Sequence, residues 1–400
     1  MDPEPKLKYQ RLGESISLVF EEDAATSLGT HDKFLALGTR SGAVYITDIV
    51  GNAIDPSGQT SISPDELPPP FIQHQGAVNA VVVSSSGDFV GSCGDDGKVH
   101  IRSVHSSESL TFSYRGALKS LALDPSFGSG TNRNFFVGGL AGQLIFNSRG
   151  FFRSKDTVLH SGQGTIHSIS WNNDFVAWTN DVGLKIHDLS SNQRIFHSDR
   201  PQGPPPDACP SCLCWIDNRL VVSWGRCLQV FDVSIGHTFE GVRTVSQHSH
   251  IVYDFFICGV LPYSDPDDSN LLSLLAFFEQ GEPPELIISS LDSNQEFAND
   301  ALEVVGYEHY VPNDYNLISS LEIEESFADQ SCFVVSPKDI IIGRPRDIDD
   351  HVRWLADHGN FEDALPLALE HSSMLRTLSP CYIAGLFALS KAGKETGKEL

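Results

Sequence analysis

The sequence predicts a mainly β chain, a seven-bladed WD40-like β-propeller followed by the start of an α-solenoid. Three observations predict it. One strand–turn–strand unit recurs along the chain, the spacing between copies matches a propeller blade, and the apolar period becomes helical after Pro345.

The clearest copy is Asp88 to Val104, where Phe89 and Val90 lead into Gly94-Asp95-Asp96-Gly97 and Val99, Ile101 and Val104 follow. The Asp-Asp-Gly run tolerates a tight turn, so two strands form a hairpin. Further copies are Lys33 to Ile49, Asn134 to Ser148, Asp174 to Leu189 and Arg219 to Val233. Their closing strands superpose: Val44, Ile46 and Asp48 match Leu184, Ile186 and Asp188, then Leu228, Val230 and Asp232. From Asp188 to Asp232 is 44 residues, inside the period of about 40–45 expected for such blades. A strand pair with one apolar face is not stable alone, and repeated four-stranded sheets bury one another radially.

Composition sets the outer bounds. The 400 residues are 40% hydrophobic and 20% charged, enough for a large core. Against 27 basic residues stand 52 acidic ones, a net charge of −25, which argues against a general nucleic-acid binder and against adhesion to anionic lipid over the whole surface. The first twenty residues lack the basic and apolar regions of a signal peptide, and the longest apolar candidate, Cys381 to Leu389, is too short to span a bilayer. Eight cysteines without a secretion signal fit reduced thiols in the cytosol.

Taken in order, Tyr9 to Phe20 alternates Ile16, Leu18 and Phe20, and is expected to supply a strand to the first blade or to ring closure. Gly51 to Pro70 reads as an excursion rich in Pro, Ser and Asp. Blade two is expected over 76–113, blade three over 116–158, blade four over 164–198 and blade five over 211–245. The loop Asp199 to Pro210 between the last two is too proline-rich for a central strand. Blade six is expected from Ile251, with strands at Leu271 to Phe278 and Leu286 to Leu291. Blade seven lies over 300–343, around Cys332 to Val335 and Asp339 to Ile342. Five blades are clear and two inferred.

Residues 1–345 thus form the propeller. Asp347 then reads as a helix N-cap with Asp349 and Asp350 in the first turn, and Ile348, Val352, Leu355 and Ala356 share one face. After His358-Gly359-Asn360, a second face runs through Phe361, Ala364, Leu365, Ala368 and Leu369, interrupted by Pro366, which would kink a helix beyond its first turn. Residues 346–372 form an αα-hairpin, and 373–400 are expected to be a divergent, poorly ordered tail.

On Glu4 to Leu12, His31 to Gly42, Phe175 to Ile195, Cys212 to Asn218 and Phe333 to Leu355, the chain resembles the vacuolar protein sorting-associated protein 41 family, subunits of the HOPS membrane-tethering complex. The resemblance implies an N-terminal propeller, a solenoid of clathrin-heavy-chain-type repeats and a C-terminal RING-like zinc domain. It implies tethering of late endosomes and other vesicles to the vacuole or lysosome. The implied partners are other HOPS subunits and a Rab-type small GTPase, and the implied location is cytoplasmic and peripheral on those membranes. This chain stops after one solenoid repeat, and is expected to be a splice form, an incomplete gene model or a short form with altered function. No short motif carries the family's GTPase-binding residues over to it.

Chemistry-bearing candidates are few. Cys209-Pro-Ser-Cys212, with Cys214 beyond, could be half a zinc site or a redox pair, but no second CxxC follows, and a strand follows where a redox pair opens a helix. Alternating strand residues are the favoured reading of Cys212 and Cys214. His248 and His250 could bind a metal from a strand, though a loop pair is the blander reading. Gly138 to Gly142 lacks the Lys-Ser/Thr of a phosphate loop, and no GxSxG or HExxH occurs. Asp48, Asp188 and Asp232 recur at one blade position, which suggests hydrogen bonding within blades. No catalytic residue, cofactor or metal is expected. The sequence therefore predicts a non-enzymatic interaction scaffold, with an adaptor for another peptide or protein complex as the alternative and a propeller hydrolase, with acids or histidines converging at the hub, as a remoter one.

Overall fold

The computed structural model describes residues 4–55, 69–149, 154–235, 243–263, 265, 268, 270–319 and 331–396. The chain divides into two compact units, residues 10–342 and residues 1–9 with 343–400.

Seven four-stranded antiparallel sheets form the seven blades. Blade one is Ala25–Thr30, Leu35–Thr39, Ala43–Thr47 and the two-residue Ile72–Gln73; blade two is Val78–Val83, Phe89–Gly94, Lys98–Ser103 and Ser109–Ser113. Blade three is Leu118–Leu123, Phe135–Gly139, Gln143–Arg149 and Ser154–Ser161; blade four is Ile166–Asn172, Phe175–Asn180, Gly183–Asp188 and Gln193–Asp199. Blade five is Ser211–Ile216, Arg219–Trp224, Cys227–Ile235 and Arg243–Val252; blade six is Phe256–Tyr263, Leu271–Phe277, Glu285–Ser290 and Glu296–Ala301. Blade seven takes Asn316–Ser319, Cys332–Ser336 and Asp339–Pro345 from one end of the chain, and Leu7–Arg11 from the other as its outermost strand. The innermost strand of each blade touches that of the next, and blade seven's touches blade one's, so the ring closes.

Burial follows strand position. The second strands are almost wholly buried and the outermost ones alternate or face solvent. Apolar side chains of adjacent blades make the core between them: Val44, Ile46, Val78 and Val90 join blades one and two, and Phe89, Val99, Leu118 and Phe135 join two and three. Each turn has its own steric demand. Gly97 sits at φ +72°, and a Cβ there would lie 2.8 Å from the Tyr114 carbonyl oxygen.

Hydrogen bonds through polar side chains lace neighbouring blades together at or next to their inner strands. Thr26 Oγ1 donates to the Val78 carbonyl (2.6 Å), Asn79 Nδ2 to that of Leu118 (2.7 Å), and the Ile169 amide to Ser120 Oγ (2.9 Å). Thr179 and Ser211 share a hydroxyl contact of 2.8 Å, Cys212 Sγ meets the Cys258 carbonyl (3.5 Å), and Thr30 Oγ1 donates to that of Ser319 (2.5 Å). Between blades six and seven a close approach takes this place. A Cβ on Gly259 would lie 2.2 Å from Leu317 Cβ and 2.9 Å from its amide nitrogen.

The sequence reading needs three corrections. Tyr9 to Phe20 is not one strand: Leu7–Arg11 is the strand, and helix α1 spans Glu14–Glu22. Ile16 and Val19 are buried with Leu12, Leu28, Leu35 and Phe333, an i, i+3 spacing that one helical face satisfies and the strand alternation read through Ile16, Leu18 and Phe20 does not. Ile251 belongs to the outer strand of blade five, which runs on to Val252, so blade six starts at Phe256. Blade six thereby keeps its own four strands, and blade seven recruits the chain's first. Residues 56–68 of the expected excursion lie outside the described residues.

In the smaller unit, α2 spans Ile348–Asp357, α3 Phe361–Glu370 and α4 Pro380–Thr396. The third correction is α4, which occupies what the sequence reads as a poorly ordered tail. Its Ile383 is buried in one cluster with Val352, Leu355, Ala364 and Ala368, so an apolar residue that reads as isolated in sequence has a packing partner in space. Pro366 lies past the first turn of α3, and the helix continues through it to Glu370. Asp347 caps α2 by accepting the Asp350 amide hydrogen (3.0 Å), and Asp350 returns the bond to the Asp347 amide (3.2 Å). Asp347→Ala is expected to cost about 1 kcal/mol of local stability, read as faster hydrogen exchange of the α2 amides with those of the blades unchanged.

Candidate functional site

The inner strands of all seven blades line a central cavity of about 960 Å³. Among the described residues on its wall, the ionisable groups other than thiols are Arg40, Lys119, His167, Asp207 and Asp314. They come from five places around the ring. Lys119 pairs with Asp95 (3.0 Å) and His167 with Asp181 (2.6 Å). The acids and histidines that a hydrolase would gather at the hub do not converge among these residues. What the wall offers is a polar and apolar surface with the Thr26, Asn79 and Ser120 side chains already engaged between blades.

One constellation has the spacing of a catalytic relay. His74 Nε2 lies 2.8 Å from Ser92 Oγ, and His74 Nδ1 lies 3.0 Å from Asp96 Oδ1. Ser92 is 0% exposed and His74 2%, so no substrate carbonyl reaches the hydroxyl, and the geometry serves to tie the turn of blade two to its second strand. Burial alone would raise the Asp96 carboxyl, but hydrogen bonds from His74 and from the Gln75 and Lys98 amides outweigh it and hold the group below the usual range. Beside it, His100 packs edge-on against His74 with ring centroids 4.6 Å apart. Among the described residues, His74, Asp96 and His100 form the group whose ligand atoms all lie within 4.8 Å of one another. This cluster has no signature in the sequence beyond a histidine ahead of an inner strand and an Asp-Gly turn about twenty residues on.

The three cysteine candidates do not come together in this way. Cys209, 4% exposed, directs its thiol to the Ile257 carbonyl (3.8 Å), Cys212 to that of Cys258 (3.5 Å) and Cys214 to that of Trp215 (3.7 Å). Cys212 and Cys214 pack on the core between blades five and six, while Leu213 and Trp215 pack on the opposite side, as alternating strand residues do. Burial pushes the Cys209 thiol up to about 12, Cys212 to about 11 and Cys214 to about 12. At pH 8 a thiol with pKa 12 is about one part in ten thousand thiolate, the form that reacts and binds metals. Brief iodoacetamide treatment of the native chain is therefore expected to modify the exposed Cys381 and leave these three unmodified, read by peptide mass spectrometry. Rapid labelling of Cys209 would contradict its burial.

The remaining candidates resolve into structural contacts. His248 lies between Asp232 (3.1 Å) and Asp292 (2.6 Å), joining blades five and six, whereas His250 meets Cys227 and Gln229 (both 3.4 Å). Asp48 accepts the Val50 and Asn52 amides, Asp188 accepts Ser190 and Ser191 and pairs with Arg243, and Asp232 pairs with Arg219. Asp349, expected at the helix start, is buried and accepts the Arg376 and Thr377 amides.

Comparison with known proteins agrees with this architecture. Residues 7–344 match the family model Beta-prop_Vps41, described as "Vps42 beta-propeller". The chain is 36% identical to the vacuolar protein sorting-associated protein 41 homolog of Solanum lycopersicum, over 90% of this chain and 40% of that one. It is 33% identical to the Homo sapiens homolog, over 91% of this chain and 42% of that one. It is 25% identical to the Schizosaccharomyces pombe protein, over 100% and 45% respectively. The chain thus spans about 40% of the length of the curated relatives it matches. The β-propeller domain of Myceliophteria thermophila Cps50 (Swd1) superposes with a TM-score of 0.61 at 12% identity, covering 86% of this chain and all of that one, a likeness of fold alone. With seven blades in place and a family model matched over the propeller, the chain belongs to the vacuolar protein sorting-associated protein 41 family.

Proposed function

We propose that this chain is a non-enzymatic scaffold in vesicle tethering and fusion, acting in transport from endosomes and late endosomes to the vacuole or lysosome. The family match across the whole propeller carries this reading. The closed ring supports it, because a rigid body of seven sheets presents loops in fixed relative positions for recognition by surface. Its partners are other HOPS subunits and a Rab-type small GTPase, through which it associates peripherally with the membrane of the late endosome, lysosome or vacuole. No helix among the described residues is long and apolar enough to cross a membrane. The αα-hairpin of α2 and α3 begins a solenoid of clathrin-heavy-chain type, whose stacking joins further subunits.

Pull-down from cell extract with residues 1–345 and with all 400 residues tests this reading. Recovery of HOPS subunits or a Rab-type GTPase by either form is expected, with contacts made by the helices present in the longer form alone. If neither form recovers any such protein while both recover one unrelated complex, the chain is an adaptor of another kind.

A further inference from the structure

We propose that His74, Asp96 and His100 in blade two form a binding site for a divalent transition ion of the zinc type. One ligand atom from each of the three residues lies within 4.8 Å of those of the other two. The second observation is an orphaned atom: His100 Nε2 is buried and has no hydrogen-bond partner. An imidazole nitrogen in that state is a lone pair, or a proton, with nothing to meet it. His100 Nδ1 is held by Thr111 Oγ1 at 3.0 Å, which leaves Nε2 as the donor available to an ion.

The outer partners suit a metal site as well. A ligating histidine is normally oriented by a bond from its other ring nitrogen, and here both rings have one, His100 through Thr111 and His74 through Ser92. Without an ion, His74 Nδ1 faces Asp96 Oδ1 at 3.0 Å. Binding requires only the other neutral tautomer, in which the His74 proton sits on Nε2 and is donated to Ser92 Oγ. Asp96 is fixed by the Lys98 amide at Oδ1 and the Gln75 amide at Oδ2. Two imidazoles and one carboxylate are a donor set that zinc accepts, with water in the fourth position. Oxygen-preferring magnesium or calcium would be disfavoured. The ion would pin the end of blade one's last strand to the hairpin formed by the second and third strands of blade two.

The test uses the full chain stripped with EDTA and titrated with Zn²⁺ alone by calorimetry, with Co²⁺ absorption as a second readout and Mg²⁺ as the control. One Zn²⁺ per chain is expected, with the visible bands of four-coordinate cobalt and no heat from Mg²⁺. His100→Leu removes the orphaned nitrogen while leaving the His74–Asp96–Ser92 contacts in place. It is expected to weaken Zn²⁺ binding by at least the roughly 10–100-fold that loss of an outer partner alone produces. Thr111→Val, which only frees the His100 ring, is expected to fall within that range. Both variants are checked for parent-like circular dichroism before titration. Absence of stoichiometric Zn²⁺ binding by the parent chain overturns the proposal, and so does binding that His100→Leu leaves unchanged, which would place the ion elsewhere.

Discussion

Deleting residues 1–12 is expected to abolish cooperative unfolding of the propeller, because the ring is fastened by the chain's first strand. Blade seven carries Leu7–Arg11 as its outermost strand, laid beside Asp339–Pro345 from the far end of the propeller. The Leu12 amide donates to the Ile340 carbonyl (3.0 Å), and Arg11 Nε pairs with Asp339 Oδ2 (2.9 Å). Burying Leu12 contributes about 2 kcal/mol, and each lost ladder bond about 1 kcal/mol. Asp339, only 5% exposed, would keep the Val305 amide as a donor (3.0 Å) but lose its cation, at about 1–3 kcal/mol. Together these reach about 5 kcal/mol or more, comparable with the whole stability of a typical domain. A urea melt followed by tryptophan fluorescence is expected to show a broad, early transition for the shortened chain. Arg11→Ala, which removes the Asp339 ion pair and the bond to the Glu303 carbonyl but keeps the strand, should retain a sharp one. A shortened chain that melts like the full one would mean that closure does not depend on this strand.

The second large effect is expected at the seam between blades six and seven. Gly259→Ala would drive a methyl group to 2.2 Å from Leu317 Cβ and 3.1 Å from its Cα. Overpacking normally costs about 1–3 kcal/mol. Here the obstacles include backbone atoms that cannot turn aside, so about 3 kcal/mol or more is expected. Gly203, with nothing within 4 Å of an added Cβ, is the control, and Gly203→Ala should change stability by no more than about 0.5 kcal/mol. Both values come from urea midpoints at constant m. Equal stability of the two variants would mean that blades six and seven pack less closely than this.

Legibility in the sequence followed the range of the interactions. The blade-two hairpin was readable because its determinants are local: Phe89 and Val90 ahead of the turn, an Asp-Gly turn at Gly97 whose positive φ the residue type announces, then Val99 and Ile101. The Asp347 cap was readable for the same reason. Pairing across the length of the chain was not. Nothing in Leu7 to Arg11 names its partner strand, and the alternation of Ile16, Leu18 and Phe20 makes Tyr9 to Phe20 read as one strand for the first blade or ring closure, although those three residues lie on a helix. Ile383 illustrates the same limit, since its burial depends on Ala364 and Ala368 in another helix. At the candidate site the CxxC spelling drew attention to Cys209 and Cys212, which turn to different carbonyls. The cluster of His74, Asp96 and His100 went unnoticed because only the fold of blade two brings it together.

Closure of the ring is the claim on which the rest depends, and zero-length cross-linking measures it directly. Lys8 Nζ lies 2.5 Å from Asp350 Oδ2 and 3.7 Å from Asp347 Oδ2, although more than three hundred residues of chain separate them. Carbodiimide treatment of the native chain is expected to join Lys8 to Asp350 or Asp347 as a dominant product by mass spectrometry, and the product should vanish in strong denaturant. Absence of that link in the native chain, with Lys8 joined to distant or random carboxylates instead, would contradict a closed propeller.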